Sequence, residues 1–109
     1  LKSLVNEFSQ FARLPQAKFV VADINQVIRQ SAAVFEQAHG TKINFKLQLD
    51  EKIPEFKIDP VQMSRVLVNL IDNSVSAVTG HSQPEVELST SFDPATKVAR
   101  VIVADNGSG

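Results

Sequence analysis

Apolar and polar positions follow two different periods along the chain, and each change of period marks an element. In LKSLVNEFSQFARLP the apolar residues Leu1, Leu4, Val5, Phe8, Phe11 and Ala12 recur at near-heptad spacing. That spacing predicts a helix, which Pro15 ends. KFVVAD is a short strand candidate. Asp23 can then N-cap a helix over INQVIRQSAAVFEQA, with Gln26 three residues on as capping-box partner and Gly40 as the stop. KINFKLQL alternates strictly, with Ile43, Phe45, Leu47 and Leu49 on one side, as in a half-buried strand. IPEFKID is a shorter extended piece. Asp59 then caps a second long helix that begins at Pro60, where a missing N–H costs nothing, and runs to near Gly80. EVELSTSF and KVARVIVAD are strands joined by the turn-like DPAT. The expected order is helix, strand, helix, strand, short strand, helix, strand, strand, the last two strands being antiparallel neighbours. An α+β sandwich with the helices on one face of a mixed sheet is the natural packing.

Composition narrows the class. With 109 residues the chain has room for one domain and not two. Hydrophobic content of 43% and charged content of 21% fit a soluble globule. The net charge is −1 and the lysines and arginines are scattered, so there is no basic footprint for nucleic acid. The absence of cysteine excludes disulfides and thiolate metal sites and fits a reducing compartment. No apolar run approaches the ~20 residues of a membrane span, and no signal peptide is visible at Leu1. The chain starts in mid-pattern and stops at DNGSG, as if cut from something longer.

The second long helix poses a chemical question. At roughly 100° per residue, Met63, Val66, Leu67, Leu70, Ile71, Ser74, Val75 and Val78 share a broad apolar face. Gln62, Arg65, Asn69, Asn73 and Ser76 share a polar stripe flanked by Val66 and Ala77. A plain solvated helix back is one reading, but such a back usually uses Glu, Lys and Gln, whereas asparagine is a poor helix former. Amide oxygens at i and i+4 can instead hold a hydrated hard cation such as magnesium, which takes few protein ligands. A second feature is VIVADNGSG, an apolar strand running straight into Asp105, Gly107 and Gly109. Asp-Asn-Gly is ordinary turn chemistry. It can equally hold a carboxylate at a strand end beside a glycine loop that lets a flat ligand approach the backbone.

Taken together, these segments resemble a known family. DPVQMSRVLVNLIDNSVSAV is similar to the N box of sensor histidine kinases, and VADNGSG to their first glycine box, D-x-G-x-G. LVNEFSQFARLP is similar to the end of the second dimerisation-bundle helix, closest to the nitrogen-regulation type. The order and spacing of the boxes, and the strand pair between them, fit as well. The resemblance implies a Bergerat-type ATP-binding fold, a two-layer α/β sandwich, over residues 16–109 and incomplete at its C-terminus. Residues 1–15 would be the end of the dimerisation and histidine-phosphotransfer helix. It also implies roles by position. Asn73 would ligate the magnesium that bridges the ATP phosphates, and Asn69 would lie near those phosphates. Asp105 would accept a hydrogen bond from the adenine amino group. Gly107 and Gly109 would shape the adenine pocket and the start of the lid, and Ala77 would form part of its wall. ATP and Mg2+ are thus the expected cofactors. A response regulator and a second copy of the chain are the expected partners. The implied location is cytoplasmic, in a sensor whose remaining segments could be anchored in a membrane.

Related hydrolysing ATPases of the gyrase, heat-shock chaperone and mismatch-repair types carry a glutamate where Asn69 stands. A neutral amide cannot take a proton from water, so Asn69 favours phosphoryl transfer to a side chain. Two alternatives stand beside this reading: an ATP-hydrolysing relative, and a non-catalytic module that dimerises or docks a regulator. Several features depart from the family pattern. Neither His39 nor His81 lies in an acceptor motif of the His-Glu-x-x-x-x-Pro kind, and both are expected to face solvent. The lid and second glycine box would follow Gly109. Ser74 replaces the usual alanine, and Ser76 stands where an acidic residue is common. The 109 residues alone are therefore expected to hold no catalytic residue, to bind ATP weakly or not at all, and to be inactive by themselves.

Overall fold

The computed structural model describes residues 18–107. The helix expected over residues 1–15, with Phe8, Phe11 and Pro15, lies outside the described residues, as does Gly109. Within them the elements follow in the expected order: β1 (Val20–Ala22), α1 (Ile24–His39), β2 (Asn44–Gln48), β3 (Phe56–Ile58), α2 (Pro60–Val78), β4 (Glu85–Asp93) and β5 (Val98–Asp105).

The ends of the elements are set by local chemistry. Asp23 caps α1 through a hydrogen bond from the Asn25 N–H, which satisfies one of the donors left over at a helix start. Gly40 closes α1, but in right-handed helical geometry (φ −63°) and not in the left-handed form its glycine would allow. Asp59 caps α2, with Pro60 in the first turn. At the far end Thr79 returns its hydroxyl to the Val75 carbonyl, and Gly80 reverses the chain at φ +88°. The turn between β4 and β5 places its one positive φ at Lys97 (57°), which shortens the strand expected from that residue to Val98–Asp105.

β4 lies at the centre of a three-stranded sheet, parallel to β2 and antiparallel to β5. β1 and β3 do not join it. They pair antiparallel with each other as a separate two-stranded ribbon, Val20 opposite Ile58. Neither three-residue strand shows the long alternation of β2 or β4 that marks membership of a half-buried sheet.

Alternation gives the main sheet one covered face. Val86, Leu88 and Thr90 of β4 and Val101 and Val103 of β5 are buried, while Ser91, Arg100 and Ile102 are exposed. α2 covers that face over β4 and β5, and α1 packs beside α2. The expected apolar face of α2 is the buried one: Met63, Leu67, Leu70, Ile71, Val75 and Val78 enter the core, and so does Ser74. This is the α+β two-layer sandwich.

Polar groups inside it are paired. Asn25, 2% exposed, donates to the Asp50 carbonyl at 2.8 Å and accepts from the Thr90 hydroxyl at 3.0 Å. The Thr90 hydroxyl in turn accepts the Asp50 N–H at 2.7 Å. This closed set fixes the loop after β2 between α1 and β4, because breaking any member leaves a buried polar atom without a partner. Ser31 and Ser64 join α1 to α2 through their hydroxyls at 3.0 Å.

The buried Asp59 carboxylate accepts three backbone N–H groups, from Lys18, Val61 and Gln62. Its pKa lies below the ordinary aspartate value, first because of the Lys18 N–H, against the opposing effect of burial, and further because of the Gln62 and Val61 N–H groups and the Lys18 charge. A carboxyl with a lowered folded-state pKa binds protons more readily when the chain is unfolded. Its contribution is complete above the ordinary range and is lost as pH falls through the folded value. The Tm difference between the protein and its Asp59→Asn variant should therefore be largest near neutrality and shrink on acidification to about pH 3. Calorimetry at a series of pH values checks this; a difference independent of pH would contradict it.

Candidate functional site

The burial of α2 turns its asparagines outward. Asn69 and Asn73 are both exposed, and neither side-chain amide is hydrogen-bonded to another described residue. Residues four apart on a helix are rotated by about 40°, so Asn69, Asn73 and Ala77 step round one flank of α2. The three positions do not share one environment. Asn69 borders an open groove of about 440 Å3 on the α1 side, lined by Phe35, Ser64, Arg65, Val68 and Asp72. Asn73 and Ala77 continue away from that groove, toward the end of β5.

At the end of β5 the strand alternation has a consequence for Asp105. Its cross-strand partner is Val86, and Leu88 faces Val103. Asp105 therefore emerges on the helix-covered face of the sheet, and it is exposed only because the strand ends there. One carboxylate oxygen accepts the Gly107 N–H at 3.0 Å, a short Asx turn that fixes the carboxylate against its own loop. The other oxygen accepts no hydrogen bond from a described residue.

The loop then touches the helix. A Cβ added at Gly107 would overlap the Ala77 carbonyl oxygen, lie 2.7 Å from its carbonyl carbon and 3.0 Å from its Cβ. Only a glycine fits against α2 at this point. The structure thus brings Ala77, Gly107 and Asp105 together and leaves Asn73 one turn before Ala77 on the same flank. It places Asn69 between this corner and the groove.

Asn106 is a supporting residue that sequence reasoning did not single out. Its side chain accepts the Glu85 N–H at 2.9 Å and donates to the Gln83 carbonyl at 2.7 Å. Its own N–H reaches the Glu85 carbonyl at 3.3 Å. It anchors the loop to the start of β4, leaving its neighbours Asp105 and Gly107 to face α2. The signal was present in the Asp-Asn-Gly triplet, where asparagine commonly bonds to nearby backbone.

The two histidines take no part. His81 is exposed, and its Nδ1 accepts the Gln83 N–H at 3.1 Å. His39 ends α1 and is half-buried, less open than expected, with its carbonyl accepting the Lys42 and Ile43 N–H groups. Among the described residues no cluster of His, Cys, Asp or Glu could hold a metal ion. No helix among the described residues is long and apolar enough to cross a membrane.

Known proteins resemble the chain over its whole length. It is 28% identical over 109 residues to a putative NtrY-like sensor histidine kinase of Rickettsia conorii, matching all of this chain and 18% of that protein. It is 26% identical over 110 residues to the sensor histidine kinase ZraS of Escherichia coli K12, again over its full length and 23% of the relative. Both of these relatives are sensor histidine kinases. The chain spans about a fifth of the length of these relatives, and no protein-family model matches it. Among solved structures, the catalytic domain of histidine kinase ThkA superposes with a TM-score of 0.72 at 22% identity, over 83% of this chain and 57% of that one. Full-length ShkA in complex with AMPPNP superposes with a TM-score of 0.72 at 23% identity, over 94% of this chain and 22% of that one. The fold is that of histidine kinase catalytic domains.

The contact between Gly107 and Ala77 generates a test. Gly107→Ala should destabilise the protein by about 1–3 kcal/mol, as overpacking does, and the strain should be released by moving the loop. Amide hydrogen exchange should rise at residues 105–107 and at Glu85, and stay unchanged in β2. Unaltered exchange at the loop would show that Gly107 and Ala77 do not touch.

Proposed function

We propose that this chain is the ATP-binding region of a two-component sensor histidine kinase, which transfers a phosphoryl group to a histidine in its dimerisation domain for relay to a response regulator. The observation that carries the reading is the corner where the Gly107 loop meets α2 at Ala77, with the free oxygen of Asp105 on one side and the unpaired amide of Asn73 on the other. Relatives that are sensor histidine kinases, a fold shared with a kinase holding an ATP analogue, and one shared with ThkA in complex with the response regulator TrrA support it. A second copy of the chain and a cytoplasmic location, with or without a membrane anchor elsewhere, belong to the same proposal.

The residues fit the ligand. Asp105, held by the Gly107 N–H, offers one oxygen to an exocyclic amine, and the glycine leaves room for a flat base beside Ala77. The Asn73 amide oxygen is a hard, neutral donor suited to a magnesium ion that keeps most of its other ligands from water and phosphates. When bound, that ion would neutralise phosphate charge. Asn69, a turn farther from the base, would lie along the phosphates. Having no carboxylate, it cannot act as base toward water, which sets the reading apart from an ATP hydrolase. Residues 1–15 as the end of the dimerisation helix, and 16–109 as the ATP-binding domain, complete the proposal.

Two outcomes check it in the full-length kinase. Asn73→Ala should abolish the magnesium dependence of ATP binding measured by calorimetry while leaving the unfolding transition in place. Equal magnesium dependence in both proteins would remove Asn73 from the site. Asp105→Asn should narrow the preference for ATP over GTP, by about tenfold for one mispaired polar contact, read by competition against a fluorescent ATP analogue. A wild type that binds both nucleotides equally would reject the adenine-reading role.

A further inference from the structure

The ladder between β4 and β5 ends on a side chain. Val86 stands opposite Asp105, so the next pair is Glu85 with Asn106. In an antiparallel ladder a hydrogen-bonded pair exchanges two bonds, each N–H going to the other's backbone carbonyl. Here backbone makes only half of that exchange. The Asn106 N–H reaches the Glu85 carbonyl at 3.3 Å. The Glu85 N–H returns at 2.9 Å to the side-chain Oδ1 of Asn106 and not to its backbone carbonyl. The same side chain donates from Nδ2 to the Gln83 carbonyl at 2.7 Å. Its amide stands in for the peptide group that would have continued β5.

This substitution releases the backbone from the sheet at Asn106, and the chain turns at once toward α2. The Gly107 N–H donates to Asp105 at 3.0 Å. Gly107 lies so close to Ala77 that a Cβ there would overlap its carbonyl oxygen. Residues 105–107 are therefore held from two sides, by residues 83–85 through Asn106 and by the last turn of α2 at Gly107. The sheet-side anchor is itself tied down. The Gln83 N–H donates to His81 Nδ1 at 3.1 Å, the His81 N–H to the Val78 carbonyl at 2.9 Å, and the Asn44 N–H to the Pro84 carbonyl at 2.9 Å. A primary amide offers these partners both an acceptor and a donor. Aspartate would keep the acceptor and set a negative charge against the Gln83 carbonyl.

We propose that Asn106 is a positioning residue that sets base specificity. By clamping the loop to residues 83–85, it fixes the free oxygen of Asp105 against the flank of α2, where that oxygen reads the exocyclic amine of the base. It acts through Asp105 and not by contact with the base. The inference rests on the nucleotide reading above and deepens it.

The test is competition of GTP against a fluorescent ATP analogue in the full-length protein that carries this chain. Four forms are compared: wild type, Asn106→Ala, Asp105→Asn and the double variant. Asn106→Ala should narrow the preference for ATP over GTP by about tenfold, as Asp105→Asn does. In the Asp105→Asn background it should narrow it no further. A residue that merely stabilised the fold would weaken both nucleotides alike and leave their ratio unchanged, and one that read the base independently would add its loss to that of Asp105. Should Asn106→Ala not fold, Asn106→Asp keeps the bond to Glu85, loses the donor to Gln83 and carries the same expectation. A selective wild type whose preference survives in Asn106→Ala, or a loss that is undiminished in the Asp105→Asn background, would overturn the inference and leave the ATP reading standing. A wild type that binds both nucleotides equally would remove the adenine-reading role and this inference with it.

Discussion

The burial of one face of α2 is the constraint on which the rest of the molecule depends. Met63, Leu67, Leu70, Ile71, Val75 and Val78 are removed from water between the sheet and α1, each contributing roughly 1.5–3 kcal/mol before entropy is counted. That burial fixes the rotation of the helix about its axis. A helix so fixed cannot hide its opposite face, and Asn69 and Asn73 are presented outward whatever they are for. Asparagine costs about half a kcal/mol in a helix relative to the better formers. Two of them stand on the presented face, where better helix formers would serve a solvated back.

The second constraint is the register of β5. Alternation puts Val101, Val103 and Asp105 on one side, so the strand that builds the core also delivers a carboxylate to the edge of the same layer that α2 covers. Gly107 then lets the loop come down on Ala77, and Asn106 ties the loop to β4. A helix flank and a strand end, about 30 residues apart in sequence, become two walls of one corner. A short stretch of sheet and a single helix thus bring an exposed amide, a carboxylate and a glycine loop into one small region.

Much of this was legible in the residues. The caps at Asp23 and Asp59, Pro60 in the first turn and the reversal near Gly80 are written in local chemistry that tertiary packing does not override. The apolar face of α2 and the alternation of β2, β4 and β5 follow from periodicity. Three things were not legible. The separation of β1 and β3 from the main sheet depends on pairing between distant three-residue strands, which leave too short a pattern to read. Gly40 was expected to end α1 and does, yet its right-handed geometry is set by the Thr41–Ile43 turn that follows and not by glycine's freedom. The Lys18–Asp59 bond joins positions 41 apart, and nothing in either residue's neighbourhood signals the other. For the site, the resemblance supplied the positions and the packing supplied their grouping. The placement of Asn69 toward the groove beside Phe35 and Val68, and the structural role of Asn106, came from the fold alone.

The central claim is that the corner formed by Asn73, Ala77, Asp105 and Gly107 receives the nucleotide. Photolabelling the full-length protein that carries this chain with an azido-adenine analogue of ATP, in the presence of magnesium, followed by peptide mapping, tests it most directly. The account predicts label on the peptides spanning Asn73–Val78 and Ala104–Gly107, abolished by excess ATP. Label concentrated instead on the peptides bearing Phe35 and Val68, in the groove between α1 and α2, or an absence of ATP-protected label from the corner, would contradict it.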